Sequence, residues 1–249
     1  WDWLSDAVDK LRPHRDTETA NSGPLQPPPV TEYDTVLFDN DGVLVDPPAR
    51  ETQVAAVYEA LDAVGVADPN PEHVDALVGS AKPDRVTEVA ADLGVDVPTL
   101  WEARETYDEE SQFEKFRAGE RGRYEDVTAV TDLPQRRGVV SNNHHSTLEF
   151  ILDYFEMGGL FETYQGRPMT IESLTLKKPN PHYLERMLAD LEGESGLYVG
   201  DSESDVVAAH RAGLDSVFVR RDHVGDLSLS VDPTYEVSDL HGVAALLAD

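Results

Sequence analysis

At 249 residues the chain is long enough for one large α/β domain, or for one domain carrying an insertion, with a well-buried core. Its 49 Asp and Glu against 20 Lys and Arg give a formal net charge of -29, with acids spread through every predicted helix, so nucleic acid and anionic membrane surfaces are repelled. The absence of cysteine excludes disulfides and thiolate metal sites and leaves oxygen and imidazole groups as nucleophiles and ligands.

No apolar run approaches the roughly 20 residues that span a bilayer, and no basic region followed by an apolar one opens the sequence, so the chain reads as cytosolic. The lysines are Lys10, Lys82, Lys115, Lys177 and Lys178, few enough that each has a stronger claim to a task than lysines usually have. The acidity resembles that of proteins from salt-in halophiles, where molar salt shortens the screening length to about 3 Å; an ordinary acidic mesophilic protein is the alternative. A salt-adapted surface predicts a melting midpoint that rises clearly from dilute buffer to molar KCl, and a flat profile contradicts it.

In chain order, Trp1 to Leu11 suits an amphipathic helix with Trp1, Leu4, Val8 and Leu11 on one face, and the proline-rich polar segment to Thr31 reads as a linker, completing an extension over residues 1–31. The first strand ends in Val36-Leu37-Phe38-Asp39-Asn40-Asp41-Gly42, a short apolar run of the kind found in buried parallel sheets, closed by a glycine turn. Asp39 and Asp41 stand at its carboxyl end, where open α/β sheets bind ligands. Alternation along the strand lets them point the same way, one for attack or metal binding and one for proton transfer. The same residues also fit a solvated Asp-Gly turn.

After Pro47-Pro48 come four helical patterns, about Ala49 to Val64, Pro71 to Val78, Pro83 to Leu93 and Pro98 to Arg117, three of them opened by a proline at a first-turn position. Residues 47–122 therefore read as a helical insertion above the first strand, with Pro47, Pro48, Gly119 and Gly122 as hinge positions, leaving 32–46 and 123–249 as the α/β core. Within the insertion, Lys82 is held extended by Pro83, and Arg85 lies in a helical first turn, where a cation opposes the helix dipole. Both placements suit an anion arriving from below, and a solvated loop with Arg85 paired to a nearby acid is the alternative.

Val139-Val140-Ser141-Asn142-Asn143 is a second strand ending in small polar groups before a helix, which suits either an anion site or plain capping. Lys178 precedes Pro179, so it stands in an extended loop where it can offer a point charge to phosphate. Leu197 to Asp205 repeats the pattern of strand, glycine and acids, with Asp201 and Asp205 bracketing the turn; Asp39 and Asp201 are hard oxygen ligands of the sort Mg²⁺ takes.

In order and spacing these four motifs resemble the haloacid dehalogenase superfamily over about residues 33 to 249, and the helical insertion is similar to the cap of its phosphoglycolate phosphatase and β-phosphoglucomutase branch. The resemblance implies a Rossmann-like parallel sheet flanked by helices, with a four-helix cap. It implies a phosphatase acting on a small phosphorylated metabolite, with Asp39 as nucleophile and Asp41 as general acid/base. Ser141, Asn142 and Lys178 would bind phosphate, Asp39, Asp201 and the Asp41 carbonyl would hold Mg²⁺, and Asp205 would support the site. Lys82 and Arg85 would read the substrate from the cap. A phosphomutase and a non-catalytic binding protein are the alternatives; a dehalogenase has no need of Asp41. Two positions depart from the pattern: Asn40, where many relatives carry an apolar residue, and Gly166 to Thr170, which lacks the usual acids. Arg167 in that stretch reads as a surface arginine, with reach to the site as the alternative.

Overall fold

Thr35–Phe38 forms β1, entirely buried, as a near-continuous apolar strand at the middle of a parallel sheet should be. The structure, a computed structural model, describes residues 33–79 and 81–248. The amphipathic helix and linker expected over residues 1–31 lie outside these.

β1 is followed by α1 (Arg50–Ala63), α2 (Pro71–Leu77), α3 (Pro83–Leu93) and α4 (Val97–Arg117), and then by β2 (Arg136–His144) and α5 (His145–Tyr154). The rest alternates: β3 (Thr163–Arg167), α6 (His182–Asp190), β4 (Gly196–Gly200), α7 (Glu203–Arg211), β5 (Asp215–Val219), β6 (Tyr235–Val237) and α8 (Leu240–Leu247). All the strands pair in parallel in one sheet of order β3-β2-β1-β4-β5-β6. This is the Rossmann-like α/β architecture, with the strand order reversing between β1 and β4.

Period-two alternation divides the sheet's side chains between two apolar layers. Val36, Phe38, Val139 and Val199 face Leu148, Ile151 and Leu152 of α5 and Leu240 and Val243 of α8. Leu37, Val140 and Tyr198 face Tyr183, Leu184 and Met187 of α6 and Ala208 and Ala209 of α7. The four inserted helices share a third cluster, with Val57, Leu61, Leu77, Val86, Val89, Leu100 and Trp101, which Leu174 from the 3₁₀ turn Ile171–Leu176 closes from the sheet side. Prolines stand in the first turns of α2, α3 and α4, where no N–H is needed. Asn70 and Asp96 cap α2 and α4 by accepting from Glu72 N and Thr99 N.

The insertion joins the sheet through a neck of two stitched segments. Asp46 N donates to Gly122 O at 2.9 Å, Gly122 N to the Asp46 carboxylate at 2.8 Å, and Tyr124 N to Leu44 O at 3.0 Å. Among the described residues, no helix is long and apolar enough to cross a membrane.

Candidate active site

Strand register assembles the site. Phe38 pairs with Val139 on one side and Val199 on the other, so Asp39 and Asp201, at the carboxyl ends of β1 and β4, come level with Ser141 of β2 at the end of that strand's apolar run. That is the switch point of the sheet, the crevice where such folds bind ligands. Gly42 serves it twice: its φ of +81° suits glycine, and a Cβ there would stand 1.9 Å from Asp201 Oδ2, so only glycine leaves the space that this carboxylate occupies.

The Lys178 ammonium is buried 2.9 Å from Asp39 Oδ1 and 2.7 Å from Asp205 Oδ1, and it donates to the Tyr198 hydroxyl at 2.6 Å. Burial works against its charge, but Asp205 and Asp39 outweigh it and lift its pKa above the usual lysine value. Burial likewise pushes the Asp39 carboxyl well above the ordinary carboxylate range, opposed by Lys178 and reinforced by the charges of Asp205 and Asp201. Asp201 rises for the same first reason, while His223, 2.7 Å from its Oδ2, pulls the other way.

One ammonium thus faces three carboxylates, Asp39, Asp201 and Asp205, whose ligand atoms lie within 4.8 Å of one another. Crowded negative charge and hard oxygen donors fit Mg²⁺. Asp205 is committed elsewhere: its Oδ2 accepts from Ser202 N at 3.0 Å and Ser202 Oγ at 2.6 Å in the capping box that starts α7, while Oδ1 holds Lys178. Asp39 and Asp201 are therefore the carboxylates with capacity for a metal, and Asp205 braces the lysine.

Ser141 is buried at the end of its apolar strand run, its Oγ accepting from Asn143 N at 3.1 Å. Asn142 differs from the sequence expectation of a phosphate ligand. Its Oδ1 accepts from Lys178 N at 2.8 Å and its Nδ2 donates to Lys178 O at 3.3 Å, so the amide is a strut that fixes the lysine loop.

Asp41 points toward the inserted helices. Its Oδ1 accepts from Arg121 Nη2 at 2.7 Å and from Asn40 Nδ2 at 3.1 Å, and its Oδ2 from Asn143 Nδ2 at 3.0 Å. Arg121 also donates to Asp46 O, so one guanidinium ties this carboxylate to the neck. Asn40, fully buried, offers one contact an apolar residue could not, the donation from its Nδ2 to Asp41 Oδ1, while its backbone carbonyl receives Leu44 N at 2.8 Å and Val45 N at 3.1 Å and shapes the turn as any residue's would.

Above Asp41 lies a cavity of about 180 Å³, walled by Gln53, Arg104 and Asp108 of the insertion and by Asn143, Arg167 and Lys177 of the sheet side. Lys82 and Arg85 are not brought to it. Arg85 is exposed and pairs with Glu88 one turn along α3, which satisfies it locally; Lys82 is exposed at the N-cap of α3. The loop reaches the cavity through the backbone of Gly79 instead. Arg167 is a second correction, since it is buried, with Nη2 3.0 Å from Glu105 of α4 and its Nε donating to Asn142 O at 3.1 Å. Burial would raise the Glu105 carboxyl, but His144, 3.1 Å away, and Arg167 hold it well below the usual range.

Arg121, Asn143, Tyr198 and His223 are the site residues that the sequence reading did not assign. Arg121 carried the one usable signal, an arginine between Gly119 and Gly122 at a predicted hinge.

Comparison with known proteins agrees with this geometry. A family model of haloacid dehalogenase-like hydrolases matches residues 36–219. A phosphoglycolate phosphatase of Cereibacter sphaeroides is 30% identical over 190 residues, covering 72% of this chain and 81% of its own length. One from Pseudomonas syringae pv. tomato is 26% identical over 197 residues, covering 73% and 67%. The solved structure of a 2-haloacid dehalogenase from Pseudomonas syringae pv. Tomato DC3000 has a TM-score of 0.61 at 18% identity, covering 86% of this chain and 98% of that one, a likeness of fold alone. With the matched segment running from β1 through β5 and so containing the assembled motifs, the chain belongs to the haloacid dehalogenase-like hydrolase family.

Proposed function

We propose that the chain is a Mg²⁺-dependent phosphatase that hydrolyses small phosphate monoesters through an aspartyl phosphate on Asp39. The observation that carries this reading is the division of labour between two acids two residues apart. Asp39 sits against Lys178 and Asp201 in the phosphoryl pocket, whereas Asp41 faces the cavity where a leaving group would lie.

In this reading Asp39 attacks phosphorus, the ester P–O bond breaks, and the departing oxygen takes its proton from Asp41. Asp41 then removes a proton from the water that attacks the acyl phosphate, releasing inorganic phosphate and restoring Asp39. Lys178 and Ser141 hold the phosphoryl oxygens. Asp39, Asp201 and the Asp41 carbonyl would hold Mg²⁺, which when bound offsets charge on the transferring group. Asn143 and Arg121 aim Asp41, and their hydrogen bonds must yield in part for it to reach the leaving oxygen.

A dehalogenase would share Asp39 but has no use for an acid that protonates a leaving oxygen. A mutase would have to keep its dephosphorylated product in place for a second transfer. The phosphoryl-transfer residues are common to both, and only the fate of the phosphoryl group separates a phosphatase from a mutase. The direct test is a panel of phosphate monoesters assayed with Mg²⁺ and with a chelator. Turnover that the chelator leaves intact, or none on any ester, would sink the proposal.

Two further outcomes are expected. Proton donation matters most for poor leaving groups, so Asp41→Asn should cost about 10²–10⁴-fold on alkyl phosphates and far less on activated aryl phosphates; equal losses would make Asp41 structural. The second concerns metal and pH. Asp39 and Asp201 have raised pKa values in the folded chain, so it binds protons more tightly than the unfolded chain does. The stability they contribute is present below the unfolded carboxylate value of about 3.9 and is lost as pH rises through the raised values. Mg²⁺ replaces those protons, so it should raise the melting midpoint more at pH 8 than at pH 5. Equal gains at both would contradict a metal held by this pair.

A further inference from the structure

One buried face of α4 is polar where helical period calls for apolar side chains. Trp101, Glu105, Asp108, Gln112 and Phe116 recur along it every three or four residues, and the middle three are polar. Buried polar groups cost free energy unless they find partners. Glu105 is answered by Arg104, Arg167 and His144, and Asp108 by Arg104 at 3.4 Å. Gln112 carries no charge to be answered, yet it is only 4% exposed, so its place on this face has to be explained by what its amide holds.

That amide bonds to both of the groups that aim Asp41 from across the chain. Gln112 Oε1 accepts from Asn143 Nδ2 at 2.7 Å and from Arg121 Nη1 at 3.1 Å, and its Nε2 donates to Asn143 Oδ1 at 3.1 Å and to Asp108 Oδ2 at 3.3 Å. The polarity of the neighbours fixes how each amide faces. A guanidinium only donates, so Arg121 requires the Gln112 oxygen, and Asn143 Oδ1 is set by the backbone N–H of His144 at 2.8 Å. At the end of this relay, Asp41 Oδ1 receives two donors, Arg121 and Asn40, whereas Oδ2 receives Asn143 alone. A carboxylate oxygen takes about two hydrogen bonds, so Oδ2 is the one left with capacity for the transferred proton.

We propose that Gln112 is a positioning residue for proton transfer: it locks Arg121 and Asn143 together and through them carries the seating of α4 on the sheet to the Asp41 carboxylate. The proposal rests on the phosphatase reading for the task of Asp41 and goes beyond it in making that task depend on the inserted helices. Glu105, two turns before Gln112 on the same face, fastens α4 to Arg167 and His144, so a shift of this helix withdraws the Gln112 amide from its partners. Gln112 also borders the cavity, and direct contact with the leaving group is the competing role. Contact of that kind would be felt in KM, whereas aim is felt in kcat on esters that need the proton.

The test uses Gln112→Met, which keeps the length and removes the amide, and Gln112→Asn, which keeps the amide and withdraws it by one methylene. Each is made alone and with Asp41→Asn, checked for a cooperative melt, and assayed with Mg²⁺ on alkyl and activated aryl phosphates. On alkyl phosphates Gln112→Met should lower kcat by about tenfold or more with KM nearly unchanged, and Gln112→Asn by less; aryl phosphates should be largely spared. Combined with Asp41→Asn, neither change should cost anything further, because a residue that acts through Asp41 then has nothing left to aim. Equal losses on both ester classes, a loss confined to KM, or an undiminished loss in the Asp41→Asn background overturns the proposal. If Gln112→Met does not fold, Gln112→Asn is read by the same criteria. If no ester is hydrolysed, thermal melts decide, since midpoint shifts add for unconnected residues and fall short of the sum for residues in one network. A double variant of Asp41→Asn with either Gln112 change that shifts by less than the sum would sustain the relay and sink only the phosphatase reading, and additive shifts would sink Gln112.

Discussion

Asp39→Asn is expected to abolish turnover, by about 10⁴–10⁶-fold in kcat, because no neighbouring carboxylate is placed to take over. Asp205 has both oxygens engaged, by Lys178 and by Ser202, and Asp201 is held by His223 on the β4 side. The fold should survive the change. Asn retains an acceptor for the backbone N–H of Asn40, now 2.8 Å from Asp39 Oδ1, and it removes a buried charge that Asp201 and Asp205 oppose. Lys178 keeps Asp205 as a counter-charge. A melting midpoint within a few degrees of wild type, together with lost activity on every monoester, is the expected pair of results; full activity would remove Asp39 as nucleophile.

Lys178→Ala should be the most destabilising single change at the site. It deletes an ammonium buried among Asp39, Asp205 and the Tyr198 hydroxyl and leaves the two carboxylates without a counter-charge. Breaking a buried pair from one side costs about 3–5 kcal/mol, and at roughly 2–4 °C per kcal/mol for a domain of this size the midpoint should drop by roughly 6–20 °C. The sign with pH follows from the stranded acids. Without the ammonium the raised Asp39 carboxyl rises further, so it destabilises the fold when ionised, and the deficit relative to wild type should shrink as pH falls from 8 to 5. Adding Asp205→Asn to Lys178→Met should recover part of the loss, since it removes one stranded charge while keeping an acceptor for Ser202 N. Thermal melts of the three variants across that pH range measure this, and a deficit independent of pH would mean that lost packing outweighs charge.

What the sequence made legible was set by local chemistry. Apolar strand runs, turn glycines and first-turn prolines locate β1, β2, β4 and α1 to α4, because period and backbone preference are written in neighbouring residues. Asp39, Asp41 and Asp201 follow, since each stands at or just past the end of a strand, Ser141 because it ends the apolar run within β2, and Lys178 because Pro179 marks its loop before α6. What was not legible depends on which side chains meet across long separations. Arg121 and Asp41 are 80 residues apart in sequence, and nothing near either announces the 2.7 Å contact. Tyr198 lies inside an apolar strand run, and only its opposition to Lys178 turns its hydroxyl from incidental to structural. Lys82 shows the converse. The inference from Pro83 that its backbone is extended is correct, with φ -112° and ψ 140°, but backbone class does not aim a side chain, and this one is exposed. Arg167 was misplaced for the same reason: its partner Glu105 comes from α4, across the interface between insertion and sheet.

The most direct test of the account is to catch the phosphoryl group on the protein. With a ³²P-labelled activated aryl phosphate, whose departure does not need Asp41, and Mg²⁺, wild type and Asp41→Asn are acid-quenched during turnover and the label is mapped by peptide. The account predicts label on the peptide containing Asp39, released by hydroxylamine as an acyl phosphate must be, accumulating further in Asp41→Asn where water attack is unassisted, and absent from Asp39→Asn. Steady turnover with no labelled peptide in either enzyme, or label on any residue other than Asp39, would contradict it.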